Sequence, residues 1–288
     1  MIDLHAHSTA SDGSLSPSEL VSYAASKGIT VLALTDHDTL EGLAEADNAC
    51  KLAGITFVPG VELNIAWPTG EFHLLGLSLQ SIAPSLTALL KDLQESRDER
   101  NRKIVETMNN DGIPVTFEAL SKYYDTKSLG RPHIADFLVK NKIVKTAQQA
   151  FDRFLGKGRP YYVGRQGLDL DDAIRAILDC GGIPVLAHPM SLYVSWGKIE
   201  PVLIDLYERG IKGLEAWHPS ARVAECSRLE EMGKKIGFFI TAGSDFHGEK
   251  VRKDRKIGHT AGMKKIEDRF WTEELEPALN SNSSFDNL

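Results

Sequence analysis

The sequence contains few cysteines and no long apolar run, and both absences limit what the protein can be. Its three cysteines are far apart and match neither a metal-binding nor a redox spacing: Cys50, Cys180 and Cys226. We therefore expect reduced, structural thiols in a cytoplasmic protein. No stretch of about 18 consecutive apolar residues occurs, so no transmembrane helix and no membrane partner are expected.

Positive charge is also scarce, because 33 lysines and arginines face 40 aspartates and glutamates, which gives a net charge of −7. A protein that coats nucleic acid needs a broad basic face, so no stable nucleic-acid complex is expected. A nucleotide or short-oligonucleotide substrate, held by metal ions and a local basic patch, is still compatible with this charge. The first residues, Met1–Leu4, are typical of a strand and not of a signal peptide. The oligomeric state is left open.

Two common catalytic signatures are missing. The nucleophile elbow G-x-S-x-G does not occur, and residues 156–158, Gly-Lys-Gly, lack the spacing of a phosphate-binding P-loop. The sequence therefore gives no support to a nucleophilic serine hydrolase or to a P-loop enzyme.

What the sequence does contain is a series of short apolar runs that end at, or include, a potential metal ligand. Runs of this length are typical of strands in a buried parallel sheet. They cover residues 2–4, 30–34, 57–61, 72–77, 183–187, 211–217 and 236–242. Amphipathic helices are predicted between many of them, at about residues 17–27, 41–53, 169–180, 198–209 and 221–235. The alternation predicts a parallel α/β sheet, either a barrel or an open doubly wound sheet.

Functional side chains of parallel α/β folds gather at the carboxyl ends of the strands, and histidines recur at those positions here. They are His5, His7, His37, His188, His218 and His247. His5 and His7 are two residues apart on a strand, so both imidazoles point the same way. Asp245 and His247 repeat that spacing after the last run.

The candidate ligands combine imidazoles with carboxylates and include no thiolate. They are His5, His7, Asp12, His37, Glu62, His73, His188, Asp245 and His247. This donor set suits Mn, Fe, Zn or Mg, and it is too large for one ion, so two or three divalent metal ions are expected. Such a cluster activates water and stabilises both the attacking and the leaving oxygen of a phosphoryl transfer, which predicts a metal-dependent phosphoesterase.

Six ordered motifs resemble those of the PHP (polymerase and histidinol phosphatase) superfamily. They are H-A-H at 5–7, S-D-G at 11–13, T-D-H-D at 35–38, P-G-V-E at 59–62, A-H-P at 187–189 and G-S-D-F-H at 243–247. The resemblance implies a distorted (β/α)7 TIM-like barrel with a trinuclear metal site. The most similar subgroup contains nucleoside-monophosphate and nucleotide 3′,5′-bisphosphate phosphatases, with 5′-to-3′ exoribonucleases among its relatives.

The resemblance also implies how the ligands divide among three ions. The three sets are His5, His7, Glu62 and Asp245; Asp12, His37 and His247; and Glu62, His73 and His188, with Glu62 bridging. Some members of the superfamily have histidine at the position of Asp12, so the aspartate points away from the histidinol phosphatase branch. Asp36 and Asp38 are expected to orient neighbouring histidines, and a plain surface loop is the alternative for Asp38.

Residues 81–166 interrupt the alternation and are predicted to form a small α-helical domain inserted into a barrel of residues 1–80 and 167–275. A substrate-selecting lid is the functional interpretation, and an inert packing insertion is the alternative. Residues 130–133, Gly-Arg-Pro-His, place proline in the first turn of a helix whose backbone N–H groups can face an anion. Arg131 and His133 are therefore predicted to contact a substrate phosphate, as the same string implies in the resembled subgroup; a plain helix cap is the alternative. Residues 276–288 are expected to be a disordered tail.

Residues 250–256 carry five basic side chains in seven, either to collect an anionic substrate or as a solvated loop. The predicted reaction is in-line attack on phosphorus by a metal-bridging hydroxide, with Arg131 and His133 spreading the transition-state charge. His218 is expected to contact the leaving group or the base, or to donate a proton, unless its role is structural. The predicted substrate is a nucleoside monophosphate or 3′,5′-bisphosphate. The alternatives are a 5′-3′ exoribonuclease acting on short RNA, an enzyme for histidinol phosphate or a DNA 3′ end, and a non-catalytic metal-binding module.

Overall fold

The computed structural model describes residues 1–124, 129–164, 167–249 and 251–282. The chain divides into two units, one comprising Met1–Leu89 with Leu168–Leu288 and the other comprising Leu90–Gly167. The second unit thus begins at Leu90, inside a long helix, and not at residue 81. That this unit folds as a separate domain stays a prediction.

The first unit is built on a single sheet whose strands follow one another in sequence order. They are β1 (Ile2–Asp3), β2 (Val31–Leu34), β3 (Thr56–Ile65), β4 (Phe72–Leu77), β5 (Ile183–Leu186), β6 (Gly213–Trp217) and β7 (Phe239–Ala242). Residues just beyond β1 and β7, the first and last strands, also pair. Ala6 and Phe246 form a parallel bridge there. The amide of His7 donates to the carbonyl of Phe246 at 2.9 Å. The sheet is therefore a nearly closed barrel, which confirms the predicted α/β fold.

The sheet is not parallel throughout, which corrects the sequence prediction. β4 runs antiparallel to both β3 and β5, whereas the other neighbouring pairs are parallel. The connection between β3 and β4 is residues 66–71, which is too short for the crossover helix that a parallel pair needs. β3 also extends to Ile65, because its residues from Gly60 onward pair with β4. Glu62 consequently lies within a strand and not at its end.

The α-helices of the described chain are α1 (Pro17–Ser26), α2 (Leu43–Ala53), α3 (Pro84–Asn110), α4 (Phe117–Tyr123), α5 (Arg131–Lys140), α6 (Ala147–Ala150), α7 (Leu170–Asp179), α8 (Ile199–Glu208), α9 (Val223–Ile236) and α10 (Glu276–Asn282). The bounds of α1, α2, α7, α8 and α9 lie within two residues of the predicted ranges. α1 begins at a capping box, where Ser16 accepts from the amide of Glu19 and Glu19 accepts from the amide of Ser16. α9 ends at Gly237, whose φ of 116° is one that glycine adopts readily.

The second unit has an apolar core of its own, which explains why its helices hold together. Buried residues of α3, α4 and α5 form it, with further contributions from the segments that follow. They include Ile104, Met108, Val115, Leu120, Ile134, Leu138, Ala150 and Leu155. α6 continues as a π-helical segment over Phe151–Leu155.

The end of the described chain is helical and not disordered, so the expectation for residues 276–282 is wrong. A π-helical turn over Phe270–Leu275 precedes α10, and both Phe270 and Leu275 are buried. These two side chains anchor the segment, and the helix continues from that anchor. The rest of the expected tail, residues 283–288, lies outside the described residues.

The buried carboxylate of Asp3 links the first strand of the barrel to the loop that follows the last strand. Asp3 accepts hydrogen bonds from the amide and hydroxyl of Ser244, at 3.0 and 2.5 Å, and from the amide of Gly258 at 2.8 Å. Burial raises the pKa of Asp3 to about 6 despite these donors. The bonds fix the loop after β7 beside β1.

Two expectations from composition can be compared with the structure directly. Within the described residues, no helix combines the length and the apolar character needed to cross a bilayer. The three cysteines are all buried and none forms a disulfide: Cys50, Cys180 and Cys226.

Candidate metal centre

Glu62 lies at the centre of a buried cluster of imidazoles at one end of the barrel. Its Oε2 atom is 3.0–3.2 Å from a ring nitrogen of each of three histidines, and Oε1 is 2.9 Å from a nitrogen of each of two more. The first three are His5, His7 and His37, and the other two are His73 and His188. Ligand atoms about 2.1 Å from one cation lie about 3 Å from each other, so this spacing suits shared coordination.

The cluster contains three overlapping groups of side chains whose ligand atoms lie close enough to hold a cation. The groups are His5, His7, Glu62 and Asp245; His7, Asp12, His37 and His247; and His37, Glu62 and His73. His188 joins the third group through Glu62, because its Nε2 atom is 2.9 Å from Oε1 of that carboxylate. The structure thus brings all nine predicted ligands together, although the sets differ slightly from those that the resemblance implies.

Two of these ligands lie on strained backbone, and one lies at the rim. His188 and Asp245 have φ values of 27° and 53°, which side-chain-bearing residues rarely adopt. Strain of this kind is concentrated at functional sites, where the surrounding structure holds it in place. Asp12, by contrast, has a side chain that is 55% exposed, and its Oδ1 atom is 3.2 Å from Nε2 of His247.

Asp36 does not orient a histidine, contrary to the sequence prediction. Its carboxylate accepts from the amide and hydroxyl of Ser8, at 2.7 and 2.6 Å, and from the hydroxyl of Ser11 at 2.5 Å. Asp36 therefore holds the loop that carries Asp12. Asp38 accepts from the amide of Asn64 at 3.1 Å.

Hydrogen bonds fix which ring nitrogen of His5 and His247 faces the cluster. Nδ1 of His5 donates to Oε1 of Glu215 at 2.9 Å, and Nδ1 of His247 donates to the carbonyl of Asp245 at 2.9 Å. Each ring therefore carries its proton on Nδ1 and turns an Nε2 lone pair toward the cluster. This is the arrangement in which a histidine binds a metal ion.

His188 is held in the same way by a serine. The hydroxyl of Ser191 donates to the carbonyl of Glu71 at 2.8 Å, so it accepts from Nδ1 of His188 at 2.9 Å. The Nε2 lone pair of His188 is left for the cluster.

His218 is held in the opposite tautomer. The amide of Ser220 donates to Nδ1 of His218 at 3.2 Å, so the proton of the neutral ring is on Nε2. That Nε2 atom lies 3.4 Å from Oδ2 of Asp245. Burial lowers the pKa of His218 to about 4, although Glu215 and Asp245 act in the other direction. His218 is therefore a neutral hydrogen-bond donor at pH 7.

The buried atoms of the cluster fit divalent cations because several of them have no hydrogen-bond partner among the described residues. They are Nε2 of His5, both ring nitrogens of His7 and Oε2 of Glu62. Burying such groups without a partner costs free energy, and a cation between them removes that cost. The donor set, imidazole with carboxylate, is also the one that Mn, Fe and Zn accept.

The charges of the cluster are strongly coupled. Burial alone would raise the pKa of Glu62, but the imidazoles of His37 and His5 hold it well below its usual value. Burial alone would lower the pKa of His7, but the carboxylates of Asp245 and Glu62 raise it to about 10. Protons on histidines thus offset the carboxylates when no cation is bound, so metal binding releases protons.

Glu215 is a site residue that the sequence prediction missed. It lies on β6 and is buried, and besides accepting from His5 its Oε2 atom accepts from the amide of His188 at 2.8 Å. A Cβ atom added to Gly243 would lie 2.4 Å from Oε1 of Glu215 and 2.2 Å from Cβ of His5. Only glycine leaves room for this pair. A single acidic residue inside the apolar run 211–217 was the available signal.

Replacing Glu215 with glutamine is expected to weaken metal binding by about 10- to 100-fold. The two groups that face the carboxylate are both donors, and an amide can accept through only one of its two atoms. His5 or His188 then loses its orientation. Competition with a chromophoric chelator measures the affinity, with the exposed Glu231→Gln as control. Equal metal affinities of the Glu215→Gln and Glu231→Gln variants would contradict the role assigned to Glu215.

A cavity of about 170 Å³ opens beside the cluster, and every residue that lines it is polar. Besides candidate ligands it is lined by Glu71, Ser191, His218, Ser220, Arg252 and Arg255. Two members of the basic run 250–256 therefore reach the cavity. A third, Lys250, lies outside the described residues.

Arg131 and His133 belong to the second unit. They lie in the first turn of α5, with Pro132 between them, as predicted. The amide of Gly130 donates to Nδ1 of His133 at 3.1 Å, and the guanidinium of Arg131 is 5.3 Å from the centre of the Tyr162 ring. Their contact with a substrate phosphate stays a prediction.

Comparison with known proteins agrees with this geometry. The chain is 35% identical over 273 residues to a 3′,5′-nucleoside bisphosphate phosphatase of Chromobacterium violaceum, covering 94% of this chain and 95% of that one. It is 36% identical over 245 residues to a 5′-3′ exoribonuclease of Haemophilus influenzae, covering 85% and 89%. A candidate metal-dependent phosphoesterase of Bifidobacterium adolescentis has a similar structure, with a TM-score of 0.78, 26% identity and coverage of 95% and 94%.

A sequence profile and these relatives together show the family to which the chain belongs. The profile of the PHP domain matches residues 3–163, which carry six of the nine candidate ligands: His5, His7, Asp12, His37, Glu62 and His73. The relatives extend the similarity over nearly the whole chain. The chain therefore belongs to the PHP domain family.

Proposed function

We propose that this protein is a metal-dependent phosphoesterase that hydrolyses phosphate monoesters of nucleotides, either nucleoside monophosphates or 3′,5′-bisphosphates. The observation that carries the proposal is the buried cluster around Glu62, with unpartnered ligand atoms beside a polar cavity. Two or three divalent cations would be held by the nine side chains of the cluster, with Glu62 shared between them. Such cations supply Lewis-acid stabilisation of phosphoryl oxygens and a nucleophile derived from water at neutral pH.

The residues of the chain have distinct tasks in this proposal. The Nδ1 hydrogen bonds of His5, His188 and His247 hold the rings in the orientation that binding requires. His218 has the opposite tautomer, and it is among the residues that line the cavity. Its proposed task is to donate a hydrogen bond to an oxygen of the substrate, since burial lowers its pKa to about 4 and favours the neutral ring.

The substrate class is supported by the relatives and by the size of the cavity. A volume of about 170 Å³ is below the roughly 300–1,000 Å³ of pockets that enclose a drug-sized ligand. A phosphoryl group fits such a cavity, and a nucleoside would extend beyond it. Arg131 and His133 are proposed to contact a substrate phosphate.

A 5′-3′ exoribonuclease acting on short RNA is the second candidate, because a relative with 36% identity carries that name. The two functions differ in the bond that is hydrolysed: a monoester in one and an internucleotide diester in the other. The cluster can serve both reactions, so only substrate preference separates them.

A substrate panel tests the proposal. We expect the manganese-loaded protein to release inorganic phosphate from a nucleoside monophosphate or 3′,5′-bisphosphate with a higher kcat/KM than from histidinol phosphate. A protein that shortens RNA but releases no phosphate from mononucleotides would be the exoribonuclease instead. No hydrolysis of any phosphoester with Mn, Fe or Zn would contradict both candidates.

A further inference from the structure

Arg255 has a buried guanidinium that the protein itself does not satisfy. Its side chain is only 7% exposed, and its Nε and Nη1 atoms have no hydrogen-bond partner among the described residues. A guanidinium offers five N–H donors and is always charged, so burying it without acceptors is costly. Buried arginines are therefore normally paired, and the missing acceptor at Arg255 calls for a ligand.

The position of Arg255 indicates where that ligand binds. Arg255 and Arg252 are both among the residues that line the cavity next to the metal cluster. Nη1 of Arg252 is 3.3 Å from Oδ2 of Asp245, and Nη2 of Arg255 is 3.9 Å from the same oxygen. The other oxygen of Asp245, Oδ1, faces His7 at 3.3 Å. One oxygen of Asp245 thus faces the other cluster ligands, and its second oxygen faces the two arginines.

Pairing with acidic side chains does not explain Arg255. The 3.9 Å separation from Asp245 is longer than a hydrogen bond and uses only Nη2. The other neighbouring carboxylate, Asp254, is 77% exposed and lies 3.6 Å from Nε. A water-exposed carboxylate at that distance contributes little. The Nε and Nη1 donors of Arg255 are therefore left without an acceptor among the described residues, in a side chain that borders the cavity.

We propose that Arg255, together with Arg252, binds the phosphoryl group that is hydrolysed, an inference that rests on the proposed function. The planar guanidinium matches the spacing of two phosphate oxygens, and it also offsets their charge. The cavity is too small to enclose a nucleoside, and the described residues that line it include no phenylalanine, tyrosine or tryptophan on which a base could stack. Arg255 therefore recognises the phosphoryl group itself and not the leaving group.

The test uses metal-loaded protein and the variants R255M and R255K, with R175M as control. Arg175 is an exposed arginine on α7 that does not line the cavity, so R175M removes the same charge outside the proposed site. We measure the inhibition constant of inorganic phosphate and the kcat/KM for a nucleotide and for p-nitrophenyl phosphate. R255M is expected to weaken phosphate inhibition and to lower both kcat/KM values by at least about tenfold, because hydrogen bonds to a charged group are lost. R255K keeps the charge without the planar fork, so a smaller loss is expected, and R175M should match the wild type.

The outcomes separate the inference from its alternatives. Bound metal, measured by mass spectrometry, should be unchanged in R255M; a parallel loss of metal would mean that Arg255 only supports Asp245. A loss confined to the nucleotide substrate would place Arg255 at the nucleoside and overturn the inference. Unchanged phosphate inhibition in both variants would also overturn it. If the wild type hydrolyses nothing, the proposed function fails, and calorimetric titration of phosphate into the wild type and R255K still decides the role of Arg255. If R255M does not fold, R255K decides the comparison.

Discussion

Complete removal of divalent metal is expected to lower the phosphoesterase activity by at least about 10³-fold, because cations supply several kcal/mol of transition-state stabilisation. The loss should be this large because the cluster offers no other electrophile of comparable charge. The rings of His5 and His188 are held at Nδ1 by Glu215 and Ser191 and turn Nε2 toward Glu62, an arrangement that serves cations.

The measurement is phosphate release after dialysis against a strong chelator, followed by stepwise addition of Mn²⁺. Activity should return with the added metal, and the thermal unfolding midpoint should rise with it, since the cation binds only the folded state. Adding Mn²⁺ to protein that was never dialysed is the control. Full turnover by protein shown to be free of metal would contradict the account.

The substitution Glu62→Gln is expected to have the largest effect of any single change, again at least about 10³-fold in kcat/KM. Glutamine has the same size, so no cavity is created, but its amide nitrogen cannot bind a cation or accept from an imidazole. Five histidines lie within 3.2 Å of the carboxylate, and all of them lose a shared negative charge.

Kinetics and metal analysis of the same preparations check this expectation. The bound metal should fall below the wild-type stoichiometry, and the unfolding midpoint of the metal-free variant should also fall, since a buried charge network loses its centre. Glu208→Gln, an exposed change on α8, serves as the control. Wild-type turnover and metal content in the Glu62 variant would refute the central place of this residue.

Much of the site was predictable because strand ends in an α/β barrel are constrained. A residue that follows a buried strand must lie at the carboxyl end of the barrel, so His5, His7, His37, His188 and Asp245 were expected to meet. The spacing of two between His5 and His7 fixed their common direction. Motif resemblance supplied the barrel closure, which periodicity alone left undecided between a barrel and an open sheet.

The rest depended on long-range contacts that no local pattern contains. The antiparallel direction of β4 follows from its short connection to β3 and from its pairing with β5. Asp36 and Glu215 are both buried acids near the site. The carboxylate of Asp36 accepts hydrogen bonds from serine, whereas the carboxylate of Glu215 accepts hydrogen bonds from two histidines. The sequence shows the acids, and only the fold shows their partners.

Arg255 illustrates the same limit for charge runs. Five basic residues in seven are compatible with a solvated loop or with an anion site, and the sequence does not separate these. Burial in the structure distinguishes an anion site from a solvated loop, because the side chain of Arg255 is buried while that of its neighbour Asp254 is exposed.

Anomalous diffraction from crystals of the manganese-loaded protein tests the central claim most directly. We expect two or three peaks among the nine ligands, with Glu62 contacting more than one of them and Nε2 of His5 facing a peak. Peaks elsewhere in the molecule, or a fully loaded protein with no peak beside Glu62, would contradict the account.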